Sequence, residues 1–287
     1  MVEFRVNKLG AALGAEIVGL DARRHLDADT VAALRAAWLE HLVLAIRGEP
    51  LSDDQLVDFS LQFGELDGDG KPGPYTSPDN PRVLVVSNVV KDGRPTGVLG
   101  DNEAKWHVDR SHVATPPSTS ILHALEIPAE GGDTYFMNMY EALAHLPQDL
   151  VAEIESRALK HDSSYGSDGN LRLGREEVTD VSTAPGYVHP MIRRHPESGR
   201  RALYLGRRLN AWVTGMAVDE SEALLNRIWA YIEGDESLVY RHRWSVGDIV
   251  MWDNRCVMHK RDAFDSTARR VMHRTELKGG PVEAALA

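Results

Sequence analysis

The feature that most restricts the fold of this 287-residue chain is a rhythm of short apolar runs broken by turn residues. Ten stretches read as strands: "EFRV", "AEIVGL", "LVLAIRG", "RVLVVSNV", "SILHALEI", "TYFMNM", "RALYLG", "VYRHRWSV", "DIVMW" and "RRVMHRTEL". Gly, Pro or Asp punctuate several of them. "HPESGRRALYL" (195–205) predicts a hairpin, and "SVGDIVMW" (245–252) predicts another. Helical spacing is confined to three places: 28–40, the segment opened by the capping-box pair Ser52 and Gln55, and 219–234 with acidic residues in its first turn and Gly234 at its end. The elements do not alternate as β-α-β-α. "LGAALGAE" (9–16) lacks the strand–turn–helix surroundings of a phosphate loop. Many strands with a few peripheral helices predict a mainly β protein, a sandwich or jelly roll.

No repeat, low-complexity tract or linker divides the chain, so one domain spanning 1–287 is expected. With 43 acidic against 32 basic residues the net charge is −11, which repels phosphate backbones and argues against nucleic acid. A single cysteine, Cys256, excludes an internal disulfide and a thiolate cluster. The first residues lack a basic-then-apolar leader, and no apolar run is long enough to span a bilayer. A cytoplasmic protein without a membrane partner is expected, with homo-oligomerisation left open.

Chemistry enters with "AKWHVDRSHV" (104–113). On a strand, residues i and i+2 share a face, so His107 and Asp109 would aim an imidazole and a carboxylate at one point. Such a pair is either a metal-binding corner or two polar residues on a solvated face. Two histidines and one carboxylate form the facial triad of non-haem iron(II) oxygenases, and 12 histidines are available for the third ligand. His259 stands out because Arg270 and Arg274 follow it. On a strand, Arg270, Met272 and Arg274 would share one face and Val271, His273 and Thr275 the other. A 2-oxoacid that chelates iron needs a fixed cation for its distal carboxylate, which arginine supplies bidentately.

The chain resembles the iron(II)/2-oxoglutarate-dependent dioxygenases of the taurine dioxygenase and 2,4-dichlorophenoxyacetate dioxygenase family. The resemblance rests on "LGAEIVGLD", "LVLAIRG", "FGEL", "WHVD", "TPPS", "GGDT", "HPMIRRHPESGR", "YRHRWSVGDIVMWDNRCVMH" and "ARRVMHRTEL" in that order, with 240–270 closest to the phenoxyacetate (aryloxyalkanoate) branch. It implies a double-stranded β-helix. It implies Fe(II) held by His107, Asp109 and His259, and 2-oxoglutarate held by Arg270 and the Thr134 hydroxyl, with O2 as the oxidant. It also implies that Arg274 grips a small anionic substrate. Because Asp109 keeps the carboxylate ligand, hydroxylation is expected rather than halogenation. The match departs at 67–103, where Asp69 and Pro72 stand in place of a His and a Tyr, and Glu103 in place of an Asn. Taurine is therefore not the expected substrate, and this Gly- and Pro-rich segment is expected to form a lid on the substrate side. Two rival readings are an oxygenase for an amino-acid-like or biosynthetic substrate, with Arg274 paired to a protein acid, and a cupin-like metal protein without oxygenase activity.

Overall fold

Strand Ile249–Asp253 shows how the core is built, because every one of its residues is buried. Alternate side chains of a strand leave opposite faces, so burial along its whole length requires cover on both. In the computed structural model, which describes residues 4–98, 100–101, 104–172, 174–206 and 210–285, Met251 packs on one side of the sheet and Trp252 on the other. The strand lies at the centre of a seven-stranded sheet in the order Arg5–Lys8, Ala15–Val18, Val43–Ile46, Ile249–Asp253, Thr119–Glu126, Val271–Leu277, Leu84–Ser87. All neighbours are antiparallel except Ala15–Val18 and Val43–Ile46.

One face of this sheet carries two helices. Asp27 caps helix Ala28–His41, accepting from the Thr30 amide at 2.8 Å. The expected capping box opens helix Asp53–Leu61: Ser52 Oγ accepts from the Gln55 amide at 3.2 Å, and Gln55 Oε1 accepts from the Ser52 amide at 2.9 Å. Leu34, Trp38, Leu56 and Phe59 from these helices meet Ile17, Leu44, Ile121 and Met251 from the sheet. The other face meets a four-stranded antiparallel sheet, ordered Val239–His242, Thr134–Asn138, Val257–Arg261, Ala104–His107. Trp252 is the bridge between sheets, its ring 5.5 Å from that of Phe136 and 4.8 Å from that of His259. Burying an aromatic side chain of this size contributes about 2–3 kcal/mol, so the ring cluster both joins the sheets and fixes their approach.

The chain between Asn138 and Val239 leaves the four-stranded sheet and builds a flank of short strands and helices. The third expected helix runs Val218–Ile232, and Gly234 beyond it takes φ 88°. The expected hairpin at 195–205 pairs Ile192–Arg194 with Arg201–Leu203. Helices Met139–His145 and Gln148–Ile154 are additions to the sequence reading. Asn138 accepts from the Tyr140 and Glu141 amides, so the cap that starts the first of them is also the last residue of a strand.

The second expected hairpin does not form. "SVGDIVMW" is not a hairpin, because Val239–His242 and Ile249–Asp253 belong to different sheets. The turn at Ser245–Gly247 carries the chain across the core, held by the Ser245 amide on Asp248 Oδ2 at 2.8 Å. Among the described residues no helix is long and apolar enough to cross a membrane.

Candidate metal centre and its cavities

His107 ends strand Ala104–His107, the edge of the four-stranded sheet, and pairs directly with His259 on strand Val257–Arg261. Both rings therefore leave the same face. Asp109 is not on that strand, contrary to the i/i+2 expectation. It lies in the turn that follows, where Arg110 takes φ 48°. The carboxylate still reaches the two rings, because the turn is fastened from behind. Asn254 Oδ1 accepts from the Asp109 amide at 2.8 Å, and its Nδ2 donates to the Asp109 carbonyl at 3.0 Å and to that of Pro117 at 2.9 Å. Asp109 Oδ1 comes 3.8 Å from His107 Nε2, and Oδ2 comes 3.9 Å from His259 Nε2. One donor atom from each residue lies within 4.8 Å of the others, and all three residues are buried.

This donor set suits a first-row divalent metal. His107 Nδ1 sits 2.7 Å from the Lys105 carbonyl, which can only accept, so the proton is on Nδ1 and Nε2 carries the lone pair. Burial opposes charge on Asp109, but the Arg274 guanidinium leads the influences that outweigh it and hold the carboxyl well below its usual range. Ser120 Oγ also donates to Asp109 Oδ2 at 2.7 Å. The site thus presents two imidazole nitrogens and an ionised carboxylate, a set that leaves further positions on a metal for other ligands. A second buried group, His195, Asp253 and Cys256, is a packed ion pair instead. Arg255 binds Asp253 through Nε at 2.8 Å and Nη2 at 2.7 Å, and His195 Nε2 lies 3.0 Å from the same carboxylate.

Arg270 precedes strand Val271–Leu277 and is 2% exposed. Its amide donates to Asn88 Oδ1 at 2.9 Å. Among the described residues its guanidinium makes no ion pair, and Nε has no hydrogen-bond partner. Burial, then the neighbouring Arg261, pulls its pKa down to about 9. A buried cation so placed lacks an anion. It lines a cavity of about 320 Å³ with Gly131, Gly132, Asp133 and Trp244. Gly132, at φ 69°, is required there, since a Cβ would stand 3.2 Å from Arg270 Cδ and Nε. Thr134 Oγ1 accepts from Trp244 Nε1 at 3.0 Å, which leaves its own proton to donate.

Arg274 lines a different and larger cavity of about 720 Å³, together with His107 and Asp109. The expected alternation holds for most of its strand: Met272 packs in the core between the sheets, while Thr275 turns to the helix side and meets Ser60 at 2.7 Å. A bulge between Val271 and Met272 interrupts the ladder, and Arg270 and Arg274 open into separate cavities rather than one. Arg274 Nη1 is 3.1 Å from Asp109 Oδ1, and Nη2 is 3.0 Å from Glu276 Oε1. Segment 67–103 supplies Tyr75, Leu84, Val90 and Val98 to the wall of this cavity, and Asp67 pairs with Arg110. Asp69 is an exposed residue paired with Lys71, and Glu103 lies outside the described residues. Ser120, Asn254 and Glu276 were missed by sequence reasoning. Only Glu276 had a signal, two residues beyond Arg274 on one strand and hence on its face.

Residues 5–275 match the family described as "Taurine catabolism dioxygenase TauD, TfdA family". The chain is 34% identical over 281 residues to the alpha-ketoglutarate-dependent 2,4-dichlorophenoxyacetate dioxygenase of Cupriavidus pinatubonensis, covering 93% of this chain and 95% of that one. It is 31% identical over 300 residues to the (S)-phenoxypropionate/alpha-ketoglutarate-dioxygenase of Delftia acidovorans, covering 97% and 96%. Among solved structures, a taurine dioxygenase from Burkholderia xenovorans superposes with a TM-score of 0.78 at 30% identity, covering 98% of this chain and 91% of that one.

Proposed function

The chain belongs to the TauD/TfdA family and is an iron(II)- and 2-oxoglutarate-dependent dioxygenase, and on that premise we propose that His107, Asp109 and His259 hold the iron. The observation that carries the assignment is the convergence of these three buried side chains on one point. Bound iron(II) supplies O2 activation coupled to decarboxylation of 2-oxoglutarate to succinate, with hydroxylation of a C–H bond. The protein's own contribution is positional. The Lys105 carbonyl sets the His107 tautomer, Ser120 and Arg274 orient Asp109, and Asn254 fixes the turn that presents it. Arg270 takes the distal carboxylate of 2-oxoglutarate and Thr134 donates its hydroxyl to the same group; the buried, unmatched guanidinium supports this reading. The two stacked sheets support a double-stranded β-helix within a single domain spanning 1–287, with 67–103 as its substrate-side lid.

The substrate is a small organic anion, a carboxylate or sulfonate, in keeping with the aryloxyalkanoates and taurine named for the relatives. Where the hydroxylated carbon carries an ether oxygen, the product collapses and the bond to that oxygen breaks. Arg274, on the wall beside Asp109, receives the anionic end. Its ion pairs with Asp109 and Glu276 favour a second role as well, that of aligning the iron-binding carboxylate. The test is succinate release with iron(II), ascorbate and 2-oxoglutarate, using a panel of aryloxyacetates, sulfonates, sulfate esters and amino acids. Stimulation by an anion is expected; stimulation by neutral or amino-acid compounds alone would overturn the substrate class.

A further inference from the structure

Three arginines line the 720 Å³ cavity beside the triad: Arg110, Arg172 and Arg274. Two of them are matched by protein carboxylates. Arg110 pairs with Asp67 and lies 3.5 Å from Glu276, and Arg274 pairs with Asp109 and Glu276. Arg172 differs from both. Its Nη1 sits 3.0 Å from His112 Nε2, and among the described residues no carboxylate stands at ion-pair distance from it. A guanidinium can only donate, so His112 Nε2 is the acceptor and that imidazole is neutral. Arg172 is therefore a half-buried cation whose bonded partner carries no charge.

Its position is fixed by the backbone around it. The Arg172 amide donates to the Ser164 carbonyl at 2.8 Å, and Tyr165 and Leu171 form a bridge that closes the loop between them. The Lys105 amide donates to the Ser167 carbonyl at 2.8 Å, which pins this loop to the edge strand that ends in His107. The loop and the metal-binding strand are thus one unit. Burial is the largest influence on the Arg172 pKa and lowers it, opposed by Asp162 and Asp168 and reinforced by Arg175 and Arg110. Tyr75, Leu84, Val90, Pro95, Val98 and Leu171 give the same cavity an apolar lining. Asp101, Asp109 and Asp168 line it as well, so its charge is mixed, and a ligand with an apolar body would set an anionic head on the Arg172 side.

We propose that Arg172 binds the anionic group of the substrate and sets the preference for anionic over neutral compounds, an inference that rests on the anionic-substrate reading above. Arg274 keeps its two roles, receiving the anionic end and aligning Asp109, and Arg172 adds a guanidinium that no carboxylate pairs among the described residues.

The experiment compares wild-type, Arg172→Gln and Arg172→Lys enzyme loaded with iron(II) and 2-oxoglutarate. Anaerobic calorimetry with inorganic sulfate reads anion binding, and succinate release reads turnover of the best panel anion and its methyl ester. In Arg172→Gln, the sulfate Kd and the KM of the anion are expected to rise about 10- to 100-fold, the size of one charge-assisted contact. The kcat, the 2-oxoglutarate Kd and the KM of the ester should stay within about threefold, and Arg172→Lys should recover part of the loss. Unchanged KM and sulfate Kd in Arg172→Gln would overturn the role of Arg172 while leaving the anionic-substrate reading intact. Equal losses for anion and ester would overturn it too, by marking the residue as structural. Sulfate binding lost with Arg172, in an enzyme that no panel anion stimulates, supports the anion site and overturns the substrate reading instead.

Discussion

His107 and His259 face each other as paired residues of two antiparallel strands, their ring centroids 4.1 Å apart. Two of the three metal-ligand candidates are therefore held by a hydrogen-bonded ladder, and only Asp109 depends on a turn. The rings are further confined by their neighbours, since His259 stacks on Phe136 at 6.2 Å and lies against Trp252. His259→Ala is expected to lose iron affinity by at least about 100-fold, because removing a ligand costs more than the 10–100-fold typical of a supporting residue. Equilibrium dialysis followed by metal analysis checks this, and full iron retention would dispose of the triad.

The turn that carries Asp109 makes a separate prediction. Ser120 Oγ donates to Asp109 Oδ2 at 2.7 Å, a bond that alanine cannot make. Ser120→Ala should weaken iron binding and kcat/KM by about 10-fold or more while leaving the fold intact. Asn254→Ala removes three bonds to buried backbone groups and should cost about 2–3 kcal/mol in urea unfolding as well. If Ser120→Ala proved indistinguishable from wild type in iron affinity, the carboxylate would not need its support.

The sequence made the ligand candidates legible, Asp109 included although it lies in a turn, and left the residues that hold that turn opaque. Period-two logic gave the opposite faces of Arg274 and Thr275, and the Ser52–Gln55 pair gave the start of its helix. Asn254 and Ser120 gave no signal, because their value lies in reaching a turn 145 and 11 residues away in sequence. Local chemistry also misjudged the turn at 245–247. Ser-Val-Gly-Asp suits a hairpin, and only the placement of the two flanking strands in different sheets decides otherwise. Arg172 was invisible for a similar reason, since a lone arginine in a polar loop is ordinary until the fold closes that loop onto the edge strand.

Arg270 lends itself to a test in which stability and function move in opposite directions. The fold buries its guanidinium without an ion pair among the described residues, so the empty protein bears an uncompensated desolvation cost. Arg270→Met keeps the length of the side chain and removes the charge. The apoprotein should melt at the same temperature or higher, while 2-oxoglutarate affinity falls by about 100-fold or more. Thermal melts with and without 2-oxoglutarate measure both effects together. A loss of about 3 kcal/mol in the apoprotein would show that the arginine is a structural residue and sink the cosubstrate assignment.

Acid sensitivity should trace to His123, which is 1% exposed in the centre of the seven-stranded sheet and directly opposite His273. Its Nε2 accepts the Leu51 amide at 3.1 Å, a bond available only to the neutral ring. Burial, then the charge of His273, pulls its pKa down to about 4 from an ordinary value of 6.5. The unfolded chain therefore binds this proton first as the pH falls. The contribution is complete above pH 6.5 and drains away between 6.5 and 4, up to an order of magnitude of about 3 kcal/mol. His123→Gln retains an acceptor for Leu51 without a titrating group, so its stability should fall less over this range. Urea unfolding of both proteins at pH 7 and pH 4.5 isolates the difference, because every other histidine is common to the two. Parallel losses in wild type and variant would mean that the acid-labile group is elsewhere.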